Sequence, residues 1–160
     1  MKTTKPTFPL KEIYYKMEYY CSYQERCYKE VEEKLYSFSL TISEKEALLT
    51  HLIENNFINE ERFAQSFVRG KHNYKHWGKN RIVNELKFRN ISSRNIQTAL
   101  KEIPEETYQE NFHRLAEKHW NNITERKGPK KNKKFVDFLL RKGYETSLIY
   151  EKLKELEAGG

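Results

Sequence analysis

The chain lacks most of what would place it in a membrane, a disulfide-stapled scaffold or a catalytic family. No apolar run approaches the roughly 20 residues that a spanning helix needs. Four Pro and six Gly in 160 residues are too few for a loop-rich or low-complexity chain. No segment alternates apolar and polar residues as a half-buried strand does. Cys21 and Cys27 are too few for a disulfide framework. Six residues apart, they fall on different faces of a helix and are expected to be reduced thiols of a cytoplasmic protein. Residues 1–10 carry Pro6 and Pro9 without an apolar centre and are expected to be a flexible tail, not a signal peptide.

Catalytic patterns are also missing. His72 and His76 are four apart but have no acidic or cysteine third ligand, and the pair His113 and Glu117 has the same weakness. Gly78-Lys79 lacks the upstream glycine and the hydroxyl neighbour of a phosphate loop. No nucleophile elbow, dinucleotide fingerprint or zinc-protease helix occurs. Glu105 and Glu106 fit a helix start, where acids stabilise the dipole. The reading is therefore a non-enzyme, with no catalytic residue, no metal and no cofactor.

What the chain has is helix-forming residues and charge. Charged residues make up 33% and hydrophobic ones 37%, a low supply for one deep core but suited to small units that share cores with neighbours. Three segments repeat one apolar spacing of 4, 5, 9 and 3 residues. Val31, Leu35, Leu40, Leu49 and Leu52 are matched by Ile82, Leu86, Ile91, Leu100 and Ile103, then by Phe135, Leu139, Tyr144, Leu153 and Leu156. Residues four apart share a helix face. Ser39, Asn90 and Gly143 stand just before the third apolar position, where a left-handed residue closes a helix; Ser39 suits that role least. A second helix follows in each copy, opened by a Ser43–Glu46 capping box in the first and by Ser92 or Ser93 in the second. In the third copy Glu145 or Thr146 opens it. A further helix precedes each pair, through Ile13, Met17 and Tyr20, through Phe63, Phe67 and Val68, and through Phe112, Leu115, Ala116 and Trp120 after Pro104. The fold class is all-α, three units of three helices over residues 11–55, 56–103 and 104–160. Residues 126–134 read as a loop or a helix entry. The seven tyrosines before residue 37 are expected to pack the first unit with their hydroxyls wet.

The net charge is +7, and it is uneven. Residues 69–101 hold nine basic side chains and one acid, and residues 126–142 hold eight and one. Residues 35–68 and 102–125 are acidic, at −3 and −4. Such blocks are either solvated faces or surfaces that track phosphates and release counterions. Tyr74, Trp77 and Phe88 could stack on bases or serve as core and loop anchors. An acidic protein surface is a further possible partner.

Several of these segments resemble one family. Residues 56–64, with Phe57 and Ile58 ahead of Glu60, Glu61, Arg62, Phe63 and Ala64, resemble the RecX signature. Residues 78–86 are similar to its Gly-x-x-Arg-Ile-x-x-Glu-Leu motif, carried by Gly78, Arg81, Ile82, Glu85 and Leu86. Glu30, Lys34 and Leu35 are similar to the first-repeat motif, and Arg141, Lys142, Gly143 and Tyr144 to the third. Trp77 replaces the more usual tyrosine and Asn90 the more usual glycine. The resemblance implies three tandem three-helix repeats in an elongated, curved array. It also implies a regulator that binds the RecA recombinase and its single-stranded DNA filament and inhibits it in DNA repair and recombination. The expected binding residues are Arg69, Lys71, Lys75, Lys79 and Arg81, with a second cluster of Lys130, Lys131, Lys133 and Lys134. Arg62 is open between a binding role and a carboxylate pair. The chain is expected to be a monomer with no membrane partner. The alternatives are a stand-alone DNA-binding module reading through residues 82–88, or an adaptor for acidic proteins.

Overall fold

The computed structural model describes residues 7–159, among which the chain forms nine helices and no strand. The first unit is α1 (Leu10–Tyr23), α2 (Tyr28–Leu35) and α3 (Ile42–Glu54). The second is α4 (Glu60–Lys75), α5 (Lys79–Phe88) and α6 (Ser93–Leu100). The third is α7 (Glu105–Asn122), α8 (Pro129–Lys142) and α9 (Thr146–Ala158). Most repeated apolar positions lie inside: Val31, Leu35, Leu52, Ile82, Leu86, Phe135 and Leu139 are fully buried. Leu40, Leu100 and Leu156 sit at the margins of the cores.

Among the described residues the cores number two. The first unit closes around its own cluster, which includes Cys21. The second and third units share one cluster, and Cys27 of the first unit reaches into it. The two thiols thus sit in separate cores, both free, and burial pushes them up to about 11 and about 12 respectively. Tyr108 is the side chain the apolar pattern overlooked. It is fully buried, its ring 5.6 Å from Tyr144.

Two of the three expected helix stops are left-handed, Asn90 at φ 60° and Gly143 at φ 97°. In each the next amide folds back onto the last turn, Ile91 to Leu86 and Tyr144 to Leu139, both at 3.1 Å. Ser39 does not act this way. α2 ends earlier, at the right-handed Tyr36, in turns that close Ser37 on Lys34 and Phe38 on Leu35. The expected Ser43–Glu46 box is also displaced, because a cap must stand outside the helix and Ser43 is already within it. Thr41 is extended and accepts from the Glu44 amide at 3.1 Å, while the Glu44 carboxylate accepts from the Thr41 amide at 2.9 Å. Ser92 caps α6 as expected, through the Asn95 amide.

The tyrosines divide. Tyr14, Tyr20 and Tyr28 pack against the first core, but Tyr15, Tyr19, Tyr23 and Tyr36 are more than half exposed and do not pack the unit. A helix buries one stripe only, and α1 carries more aromatics than its stripe holds. Residues 1–6 of the expected tail lie outside the described residues. Of the remainder, Phe8 meets Phe38 edge-on at 6.0 Å and Leu10 opens α1. The lysine-rich stretch enters α8, with Pro129 in its first turn.

Candidate functional site

The second and third units join where a helix start meets a helix end. The first amides of α5 and the last carbonyls of α8 have no partners within their own helices. They satisfy each other: the Gly78 amide donates to the Lys142 carbonyl at 2.7 Å and the Asn80 amide to the Gly143 carbonyl at 2.9 Å. The Lys79 amide between them donates to the Tyr108 hydroxyl at 3.0 Å, and that hydroxyl donates to Glu145. Burial first, and then the bond to Glu145, push the Tyr108 phenol far above its ordinary value, so it remains a donor. Arg81 completes the clasp by donating to the Arg141 carbonyl at 3.0 Å.

This contact dictates the residues at residues 78–82. Any Cβ on Gly78 would collide with the Gly143 carbonyl and the Tyr144 amide. A Cβ on Gly143 would collide with Arg81. Ile82 and Leu86 fill the core below, and Glu85 pairs with Arg89 at 2.8 Å. Of the motif residues further back, Phe63 is buried. Arg62 resolves to a pair: its Nε donates to Glu25 at 2.6 Å and its Nη2 to the Asn56 carbonyl at 3.0 Å, linking the first unit to the second.

Above the clasp, cations converge. The Lys142 ammonium donates to the Lys75 carbonyl at 3.0 Å, bringing α8 to the end of α4. The Arg81 guanidinium lies over the Trp77 ring at 4.0 Å and Lys71 lies over the same ring at 5.0 Å. Partial burial, then Arg81, then Lys75, hold the Lys142 ammonium below its ordinary value. Among the described residues no carboxylate lies within ion-pair distance of Lys71, Lys75, Arg81 or Lys142. Such crowding favours an anion from outside.

The structure does not hold the rest of the expected clusters together. Arg69 turns to Glu102 on the other side of α4. Lys79 pairs with Glu105 at 2.9 Å and covers the Tyr108 ring at 4.4 Å. In the second cluster Lys133 pairs with Asp137 at 2.6 Å, Lys134 pairs with Glu125, and Lys131 covers Trp120 at 4.1 Å. Lys130 is exposed at the start of α8. Trp77 is a junction anchor, while Tyr74 and Phe88 project into solvent at 83% and 69% exposure, with Lys29 over Phe88 at 3.9 Å.

Sequence reasoning missed Lys142 as a site residue, since only its contact across 67 positions gives it a role. It also missed His72, whose ring is 1% exposed. Nδ1 must donate to the Trp77 carbonyl at 2.9 Å, because a carbonyl only accepts, so Nε2 accepts from the Asn111 amide at 2.9 Å. Burial holds His72 below its usual value and the ring neutral. The pair His72 and His76 therefore does not offer two ligand nitrogens. Among the described residues no three potential metal ligands cluster, and no helix is long and apolar enough to cross a membrane.

Comparison with known proteins places this architecture. Residues 59–100 match the family described as RecX, second three-helix domain, and residues 106–153 match RecX, third three-helix domain. Regulatory protein RecX of Clostridium botulinum is 34% identical over 132 residues, which cover 79% of this chain and 60% of that protein. Regulatory protein RecX of Bacillus cytotoxicus is 29% identical over 138 residues, covering 86% of this chain and 51% of the other. The chain thus spans about half the length of the curated relatives it matches. The crystal structure of RecX from Lactobacillus salivarius superposes with a TM-score of 0.77 at 29% identity, over 93% of this chain and 97% of that one.

Proposed function

Because the chain belongs to the RecX family, we propose that it is a cytoplasmic, non-catalytic regulator that binds the RecA recombinase and its filament on single-stranded DNA. Its effect in this reading is inhibition: a curved array occupying the filament groove obstructs strand exchange and favours loss of subunits. The observation that carries the reading is the convergence of Lys75, Arg81 and Lys142 from three helices, with no carboxylate paired to them among the described residues. Phosphates would supply the missing negative charge and release counterions as they did so. Lys71 beside them and Lys130 at the far end of α8 extend the basic surface; α8 spans about 20 Å.

A stand-alone duplex reader using α5 is disfavoured by its surroundings. Recognition helices address base edges with their N-terminal residues. Here Gly78, Lys79 and Asn80 give their amides to the third unit and Tyr108, and Arg81 gives its guanidinium to Arg141.

The test is a RecA strand-exchange and ATPase assay on single-stranded DNA with this protein added. Inhibition is expected at concentrations that saturate the filament, and no effect there would overturn the reading. Reversing Lys75 and Lys130 together should weaken filament binding and flatten its salt dependence. Lys79 and Arg81 are poor choices for reversal, since both hold the junction between units.

A further inference from the structure

A pocket of about 560 Å³ opens between the end of α4, one face of α7 and the last turns of α8. Its walls include Asn73, Asn111, Arg114, Lys118, Phe138 and Lys142. Among the described residues no carboxylate lines it. That is unexpected from composition, because residues 102–125 hold six glutamates and only two Lys or Arg. Those two, Arg114 and Lys118, both reach this pocket and none of the six acids does. Positions 111, 114, 118 and 122 follow helical spacing on one face, so α7 sets both of its cations at the rim of this pocket, with Arg114 also bordering a neighbouring groove that holds Glu106, Glu110 and Glu117.

The wall is organised before any ligand arrives. The Trp77 carbonyl orients His72, His72 orients the Asn111 amide, and the Asn111 oxygen accepts from the Arg114 guanidinium at 3.3 Å. On the opposite side the His119 ring stacks on Phe138 with centroids 3.8 Å apart. His119 Nε2 is buried and has no hydrogen-bond partner among the described residues. Guanidinium and ammonium groups bind phosphate, aromatic and imidazole planes receive a base, and carboxamides hydrogen-bond its edge. All three kinds of group line one cavity.

We propose that this pocket binds one nucleoside phosphate, with the phosphate on Arg114, Lys118 and Lys142 and the base beside Phe138 and the asparagines. It rests on the proposed function only in favouring a DNA strand as the source of the nucleotide. A free nucleotide has the same chemistry. Lys142 belongs both to this pocket and to the junction cluster, so a strand lying on Lys75 and Arg81 passes its mouth.

The test is nuclear magnetic resonance of the whole protein with labelled histidines, titrated with thymidine monophosphate, inorganic phosphate or an eight-residue oligothymidylate. Saturable shifts at His72 and His119, with His51 in the first unit unmoved, are expected with the oligonucleotide. Matching shifts with the monophosphate show that a free nucleotide enters too; their absence restricts the site to a nucleotide within a strand. The double variant Arg114→Gln and Lys118→Glu, both at exposed positions, should weaken the binding at least tenfold without changing the melting temperature. No shift at either histidine with any ligand overturns the proposal. So does wild-type affinity in the double variant, or inorganic phosphate binding as tightly as the nucleotides. These readings need no RecA, so failure of the pocket and failure of filament inhibition are told apart.

Discussion

Gly78 and Gly143 face each other across 65 positions of sequence so closely that neither has room for a Cβ. The amide of the first donates to the carbonyl of Lys142, beside the second, and the start of α5 thereby caps the end of α8. The helix dipoles add to this contact, since the positive end of one meets the negative end of the other. One backbone junction both fixes the third unit on the second and brings Lys142 to Lys75.

Alanine at either glycine should part the two units. Gly143→Ala adds a strained left-handed conformation to the collision with Arg81. A loss of about 2 kcal/mol or more is expected, lowering the melting temperature by roughly 4–8 °C for a chain of this size. Gly70, inside α4 with nothing within 4 Å of its would-be Cβ, is the control. Gly70→Ala should stabilise by about 0.5–1 kcal/mol through helix propensity. Thermal unfolding followed by circular dichroism reads all three variants.

The link between Arg62 and Glu25 should be modest, because both side chains are about a third exposed. A double-mutant cycle with Arg62→Ala and Glu25→Ala is expected to return a coupling of about 0.5–1 kcal/mol. Arg62→Ala alone should cost more than Glu25→Ala, since Arg62 also binds the Asn56 carbonyl. Equal losses in urea melts would show that the carbonyl contact contributes nothing.

Acid should destabilise the protein through His72. Its folded pKa lies below the free value of 6.5, so below about pH 6.5 the unfolded chain binds the proton more readily and unfolding is favoured. Above that value both states are neutral and the contribution is constant. His119 is shifted in the same direction, also by burial. Melting temperature measured from pH 7.5 to 5 should fall, and His72→Gln should make the fall shallower. A ring titration midpoint above 6.5 for His72 would reverse the expectation.

Cys21 and Cys27 should react slowly. Burial holds both thiols at or above about 11, so at pH 8 little thiolate exists in the folded state. Alkylation by iodoacetamide is expected to be on the order of a hundredfold slower than in guanidinium-unfolded protein. At the same pH, Gly143→Ala, which loosens the core that holds Cys27, should raise the rate there.

Much of the scaffold could be read along the chain. Apolar spacing locates the paired helices because a helix face is a local property, and Asn90 and Gly143 mark their stops because left-handed backbone favours those residues. The misplaced cap at Ser43 and the overlooked Tyr108 are limits of the same method. A cap depends on where the backbone leaves the extended region, and Tyr108 is buried for the sake of a hydroxyl that bridges Lys79 and Glu145.

Charge was another matter. The basic blocks are plain in the residue order, yet Arg69, Lys79 and Lys134 meet acids that lie off their own helices, while Lys133 pairs with Asp137 one turn along α8. Lys142, Arg114 and Lys118 emerge instead, the last two from a stretch whose composition is acidic. Residue order sets the periodicity, the helix ends and the total charge, because these depend on neighbours a few positions away. Which cations keep a free field is set by packing, because it depends on which carboxylate lies within 4 Å after helices distant in sequence have met.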